Sequence, residues 1–129
     1  MLHIYPDWNS QIGWHCDKEA MKTDIFSLSL GDSRRFLIKN SKERSEYWLK
    51  NGDLIHMYGQ RIIDQKIIPS CQRMFVHSVP PMSMKDMLCF IKERGYQYNG
   101  LKKKNDVLNY MKEHNLTPMR INLTFRQFE

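Results

Sequence analysis

Three cysteines in 129 residues, Cys16, Cys71 and Cys89, are odd in number, widely spaced and free of any Cys-x-x-Cys pair. A disulfide framework is excluded, and a reducing interior suits the chain. Long apolar runs are also missing. Nothing approaches the roughly 20 residues that a membrane helix needs. Pro6, Asp7 and Asn9 interrupt any apolar core near Met1, so the first residues do not read as a signal peptide. The expected setting is a reducing intracellular compartment, cytoplasm or nucleus, with no membrane partner and a monomeric chain. Acid is the scarcer charge, with 14 Asp and Glu against 20 Lys and Arg, a net charge of +6. That balance favours an anionic partner, of which nucleic acid is the commonest, and says nothing about fold. The length suits one domain.

What is present is most informative near the end. In Arg120-Ile-Asn-Leu-Thr-Phe-Arg126 polar and apolar residues alternate. In an extended strand Arg120, Asn122, Thr124 and Arg126 then share one face. An edge strand with wet arginines would explain this. So would a buried ligand with two carboxylates, each gripped bidentately by a guanidinium. Upstream, His15-Cys-Asp17 sets an imidazole and a carboxylate on one face of a strand, and His77 lies in another extended run, Met74-Phe-Val-His-Ser-Val79. Two histidines and one carboxylate make the facial triad that holds non-haem Fe(II) and leaves positions open for a 2-oxo acid and dioxygen. His-x-Asp alone is weak; with a distant strand histidine and the two-arginine strand it becomes strong.

Eight strand-like runs recur: Leu2–Tyr5, Ile12–His15, Ile25–Leu30, Phe36–Lys39, Glu46–Leu49, Asp53–Tyr58, Met74–Val79 and Met119–Arg126. They predict a mainly β antiparallel sandwich or jelly roll. Asn51-Gly52 and Gly31-Asp-Ser33 read as hairpin turns, and 61–73 as a longer loop. Residues 82–118 break the pattern. Ser83 can cap a helix from Met84 to Arg94, with Gly95 as its stop, and a second helix runs from about Asn105 to His114. This helical hairpin is inserted between the strands of His77 and Arg120, and is too small to be very stable alone.

With these residues in view, the chain resembles the AlkB family of Fe(II)/2-oxoglutarate dioxygenases, which remove alkyl groups from nucleobases by oxidation. The matching text is Tyr5-Pro-Asp, Ile12-Gly-Trp-His-Cys-Asp-Lys-Glu19, Ser27-Leu-Ser-Leu-Gly31, Arg35-Phe, Asn51-Gly-Asp-Leu, His77-Ser-Val-Pro80 and Arg120 to Arg126. The resemblance implies a double-stranded β-helix over residues 1–129, DNA or RNA carrying an alkylated base as substrate, and Fe(II), 2-oxoglutarate and dioxygen as cofactor and co-substrates. It makes His15, Asp17 and His77 the iron ligands. Arg120, helped by Tyr5, should hold the distal carboxylate of 2-oxoglutarate, and Arg126 with Asn122 and Thr124 the end that chelates the metal. Glu19 matches an acidic position near the flipped base. His3 replaces the usual asparagine, which implies weaker co-substrate binding. The family's N-terminal lid has no counterpart in these residues, so the base-clamping aromatics are expected from elsewhere and single strands should be the easier substrate. Residues 82–118 resemble the SAP helix–loop–helix module, which binds DNA. Lys102 and Lys103 in its loop would meet phosphates; an inert hairpin with solvated lysines is the alternative.

Other residues read more plainly. His56 is expected to be structural, His114 to favour a helix C-terminus, and Trp14 and Trp48 to be core. Trp8 could be core or stack on a base, and the pair Arg34-Arg35 could touch nucleic acid or simply be exposed. Two rival functions stay open: hydroxylation or demethylation of a protein side chain, and a catalytically weak nucleic-acid-binding fragment that needs a partner.

Overall fold

The computed structural model of the chain describes residues 1–20 and 22–126. In chain order the strands are β1 (Leu2–Tyr5), β2 (Ile12–His15), β3 (Ile25–Gly31), β4 (Arg34–Lys39), β5 (Arg44–Leu49), β6 (Leu54–Met57), β7 (Arg61–Ile63), β8 (Lys66–Ile68), β9 (Val76–Val79) and β10 (Arg120–Arg126). The helices are α1 (Cys71–Met74), α2 (Met84–Glu93) and α3 (Lys104–Glu113). Eight strands form two four-stranded sheets, β1-β10-β3-β6 and β2-β9-β4-β5, with every pairing antiparallel. Leaving aside the β7–β8 ribbon, successive strands alternate between the sheets except at the β4–β5 hairpin. That winding is a double-stranded β-helix, the expected jelly roll. The main core lies between the sheets and includes Tyr5, Ile25 and Met57 from one, and Phe36, Leu49 and Val79 from the other.

All eight expected strands are present, but the turns differ. Asn51-Gly52 and Gly31–Ser33 join strands of opposite sheets, since β5 pairs with β4 while β6 pairs with β3. The Gly52 turn docks back on β3, its N–H reaching Ser29 O at 2.7 Å. Gly31 has φ 90°, and a Cβ there would lie 2.5 Å from Met119 O. Within the two large sheets the hairpin turn, between β4 and β5, follows Asn40, whose side chain accepts the N–H groups of Lys42 and Glu43 at 2.9 Å each. Residues 61–73, expected as a loop, fold into the β7–β8 ribbon and α1.

The first sheet mixes polar groups into its inner face, beside Tyr5, Ile25 and Met57, and leaves its outer face apolar. Its inner face carries Arg120, Asn122, Ser27 and Ser29. Its outer face carries the cross-strand row Leu2, Leu123, Leu28 and Leu54, with Ile4, Ile121 and Leu30 beside it. Leu2, Ile4, Phe26, Leu54 and Phe125 are exposed there. Alternation still sets the register, but here polar groups are wanted inside.

The helical insertion has its own core of Met82, Met87, Phe90, Ile91, Val107, Met111 and Leu116. Ser83 caps α2 in a reciprocal capping box with Asp86. The unit is tied to the sheets by polar links: Arg94 donates twice to Asp32 (2.9 and 2.8 Å), and Ser33 and Trp48 both donate to Glu93 at 2.9 Å. Phe90 is 1% exposed, so Phe90→Ala should cost about 3–5 kcal/mol of stability in chemical denaturation. A loss under about 1 kcal/mol would show that these helices contribute little to the fold. Among the described residues no helix is long and apolar enough to cross a membrane.

Candidate active site

β2 and β9 pair so that His15 and His77 are direct cross-strand partners, with a register shift between Ile12 and His15. Their rings lie 4.2 Å apart between centroids. Asp17, two residues past His15, reaches both. Its Oδ1 is 3.8 Å from His15 Nε2 and its Oδ2 is 3.8 Å from His77 Nε2. One ligand atom from each residue lies within 4.8 Å of the others. His15 donates Nδ1–H to Gly13 O at 2.8 Å, which leaves Nε2 with its lone pair toward the cluster. Burial, aided by His15 and opposed by Asp17, pushes His77 down to about 4. It is therefore neutral at physiological pH, the state in which imidazole binds metal. Phe36 stacks on it at 5.5 Å.

The triad opens on a cavity of about 150 Å³ lined also by His3, Tyr5, Arg120, Asn122 and Thr124. A cavity of about this size takes a benzene-sized molecule. Arg120 is 2% exposed. One of its amino groups, Nη2, donates to Ser29 Oγ at 2.8 Å; Nε and Nη1 are buried with no well-formed hydrogen bond, and the Tyr5 hydroxyl is the polar group that the guanidinium faces. Tyr5 lies between two guanidiniums, Arg120 at 5.2 Å and Arg34 at 5.4 Å from its ring centroid. Burial lowers the pKa of Arg120, with Tyr5 opposing. Asn122 accepts from Ser27 Oγ at 2.5 Å and donates to Thr124 Oγ1 at 3.3 Å. Burial, then Arg120 and His15, lower the pKa of His3. A neutral His3 can donate one hydrogen bond into the cavity.

The remaining expected residues lie apart. Arg126 shares the inward face of β10 but lines a neighbouring recess with Met1, Thr124 and Phe125. Glu19 sits in a 3-10 turn, Lys18–Ala20, and its side chain lies outside the described ones. Arg35 is paired with Asp86 (2.7 Å) and Glu46 (3.1 Å), holding α2 to β4. Trp8 packs against the helical core with Lys104 over its ring at 4.5 Å. Lys102 and Lys103 are exposed just before α3. Arg34, open to an exposed reading, is instead buried and donates to the carbonyls of Asp7, Ser10 and Pro80. Trp14, expected in the core, is an exposed platform for Lys39 at 4.0 Å and Arg44 at 5.8 Å.

Sequence reasoning missed two positioning groups. Buried Gln72 on α1 accepts the Asp17 N–H at 2.7 Å and touches Met57 Sδ at 3.2 Å. No local signal marks it, because its segment reads as loop. Ser29, which orients Arg120, was findable from the alternation in Ser27-Leu-Ser-Leu.

The family model of the 2OG-Fe(II) oxygenase superfamily matches residues 1–126. The chain belongs to that superfamily. Superfamily members use Fe(II), 2-oxoglutarate and dioxygen, and the site fits them. Two imidazoles and a carboxylate suit Fe(II), and the Arg120 donors that make no well-formed hydrogen bond suit a carboxylate. The fold is similar to that of OsALKBH1, with a TM-score of 0.52 and 23% identity over 98% of this chain and 46% of that one. The chain thus spans under half the length of that oxygenase-fold relative. A comparison with curated proteins returned no match.

Proposed function

We propose that this oxygenase removes alkyl groups from nitrogen atoms of bases in DNA or RNA. His15, Asp17 and His77 hold Fe(II). When bound, the metal would supply the chemistry in which dioxygen and 2-oxoglutarate give succinate and carbon dioxide, one oxygen atom entering succinate and the other hydroxylating the N-alkyl carbon, after which the alkyl group would leave as an aldehyde. Arg120 receives the distal carboxylate, with Ser29 fixing its guanidinium and Tyr5 packing on its face. Asn122, Thr124 and His3 line the path toward the metal. Arg126, which lines the adjoining recess on the other side of Thr124, is assigned the carboxylate that chelates the metal. The observation that carries the reading is the buried Arg120, whose Nε and Nη1 make no well-formed hydrogen bond in a cavity that ends at the triad.

For the substrate, the support is the AlkB-like motif set and the basic balance of the chain. Lys102 and Lys103 of the SAP-like insertion are assigned to phosphates, and Glu19 to the base. Arg35 and Trp8 support the insertion and do not contact the base. Succinate release should rise on adding an N-methylated oligonucleotide. Stimulation by a methylated peptide alone would overturn the substrate assignment. Failure of the protein to bind Fe(II) and 2-oxoglutarate in an anaerobic titration would overturn the enzyme reading.

A further inference from the structure

We propose that the β7–β8 ribbon is an arm that grips the substrate strand beside the catalytic cavity, placing Ile62 and Ile67 against unstacked bases. The inference rests on the nucleic-acid reading of the same site. β7 and β8 pair with Ile62 opposite Ile67, Arg61 opposite Ile68 and Ile63 opposite Lys66. Ile62 is 73% exposed, Ile67 65%, Ile63 57% and Ile68 40%. β-branched residues favour a strand, yet threonine would do so without setting four aliphatic chains in water. A lone two-stranded ribbon is marginal in water. Bare apolar patches on soluble proteins mark binding surfaces.

The ribbon has a tight tip and a root tied to the sheet. Its tip, Asp64 and Gln65, has φ 52° and 64°, the left-handed pair of a tight type I′ turn. At its base Arg61 pairs with Asp24 at 2.6 Å, and Gly59 N–H reaches the same carboxylate at 2.7 Å. Gln60 N–H bonds Lys22 O, and Cys71 N–H bonds Tyr58 O, each at 2.9 Å. Any Cβ on Gly59 would lie 2.5 Å from Lys22 O. The hydrogen bond from Arg61, foremost, keeps Asp24 far below the usual carboxylate range, so this anchor stays charged.

Both roots grow from the metal end. Met57, shortly before β7, lines the cavity; Gln72, shortly after β8, holds the Asp17 N–H. Positive charge surrounds the same end. Lys18 follows Asp17, Arg73 follows Gln72, and Lys39 lies opposite Val76, next to His77. Arg44 joins Lys39 at Trp14, the neighbour of His15. Glu43 and Asp64 oppose them, and Asp24 is already paired. An apolar arm within a basic rim matches a partner that offers flat apolar faces and a row of phosphates. Isoleucine is among the side chains that enter opened base steps. The cavity is small, so a target base must leave its stack and be presented at the mouth. An arm rooted there can occupy the gap.

The test is the double variant Ile62→Thr, Ile67→Thr, which keeps strand preference and removes the apolar surface. A methylated duplex carrying 2-aminopurine beside the lesion reports unstacking by fluorescence, and succinate release reports turnover. The wild type should raise the fluorescence. The variant should abolish that rise and lose at least about tenfold in kcat/KM on the oligonucleotide, while anaerobic titration of Fe(II) and 2-oxoglutarate confirms that it is folded. An unaltered signal and kcat/KM in the variant would overturn the arm and leave the nucleic-acid reading standing. A wild type stimulated by a methylated peptide and by no oligonucleotide would overturn both.

Discussion

Asp17→Ala should weaken Fe(II) binding by at least about 100-fold and reduce succinate release to background. Among the described residues Asp17 is the anionic group that reaches both imidazoles, at 3.8 Å from each, and it is the anionic donor of the cluster. Without it two neutral histidines remain, 4.2 Å apart, with too few donors and no charge to retain a hard divalent ion. The fold should persist, because the backbone N–H of residue 17 still bonds Gln72. Gln72→Leu removes the other half of that link and should give the milder loss typical of outer-shell partners, about 10–100-fold in metal affinity. Anaerobic titration monitored by the absorbance of the Fe(II)–2-oxoglutarate complex reads both. An Asp17→Ala protein with near-normal iron affinity would place the metal elsewhere.

Much of this site could be read before any coordinates, for a specific reason. Period-two alternation assigns faces without regard to what lies beyond them, so Arg120, Asn122 and Thr124 could be grouped from sequence and are found together. The same rule placed β1 and β2 within their observed limits. Alternation is silent where neighbours are alike. Ile62-Ile63 and Ile67-Ile68 carry no period, and Asp64-Gln65 is a weak turn signal, so the ribbon was hidden in an apparent loop. Asn51-Gly52 was correctly seen as a tight turn. Turn chemistry, however, does not say which sheet the next strand joins, and there it crosses between sheets. Arg34 shows the same limit for charge. Its burial depends on three carbonyls distant in sequence, which no local pattern encodes.

Arg120→Met should abolish 2-oxoglutarate binding and, without co-substrate, make the protein more stable. Both effects follow from one arrangement. A guanidinium that is 2% exposed, with one well-formed hydrogen bond and Tyr5 offsetting its burial in part, carries a net desolvation cost. Removing a buried charge that no carboxylate balances removes that cost, so the variant should gain stability. In the wild type a co-substrate bound at this guanidinium should compensate instead, adding about 2.7 kcal/mol at a concentration 100 times Kd. The wild-type Tm should therefore climb with added 2-oxoglutarate, while that of Arg120→Met starts higher and stays flat. Arg120→Lys keeps the charge but offers a point donor where a fork is needed, so KM for 2-oxoglutarate should rise about 10–100-fold. Thermal melts across a 2-oxoglutarate series, with KM from succinate release, measure all three. If Arg120→Met melted below the wild type and its Tm still climbed with 2-oxoglutarate, the guanidinium would be a structural group and the carboxylate would bind elsewhere.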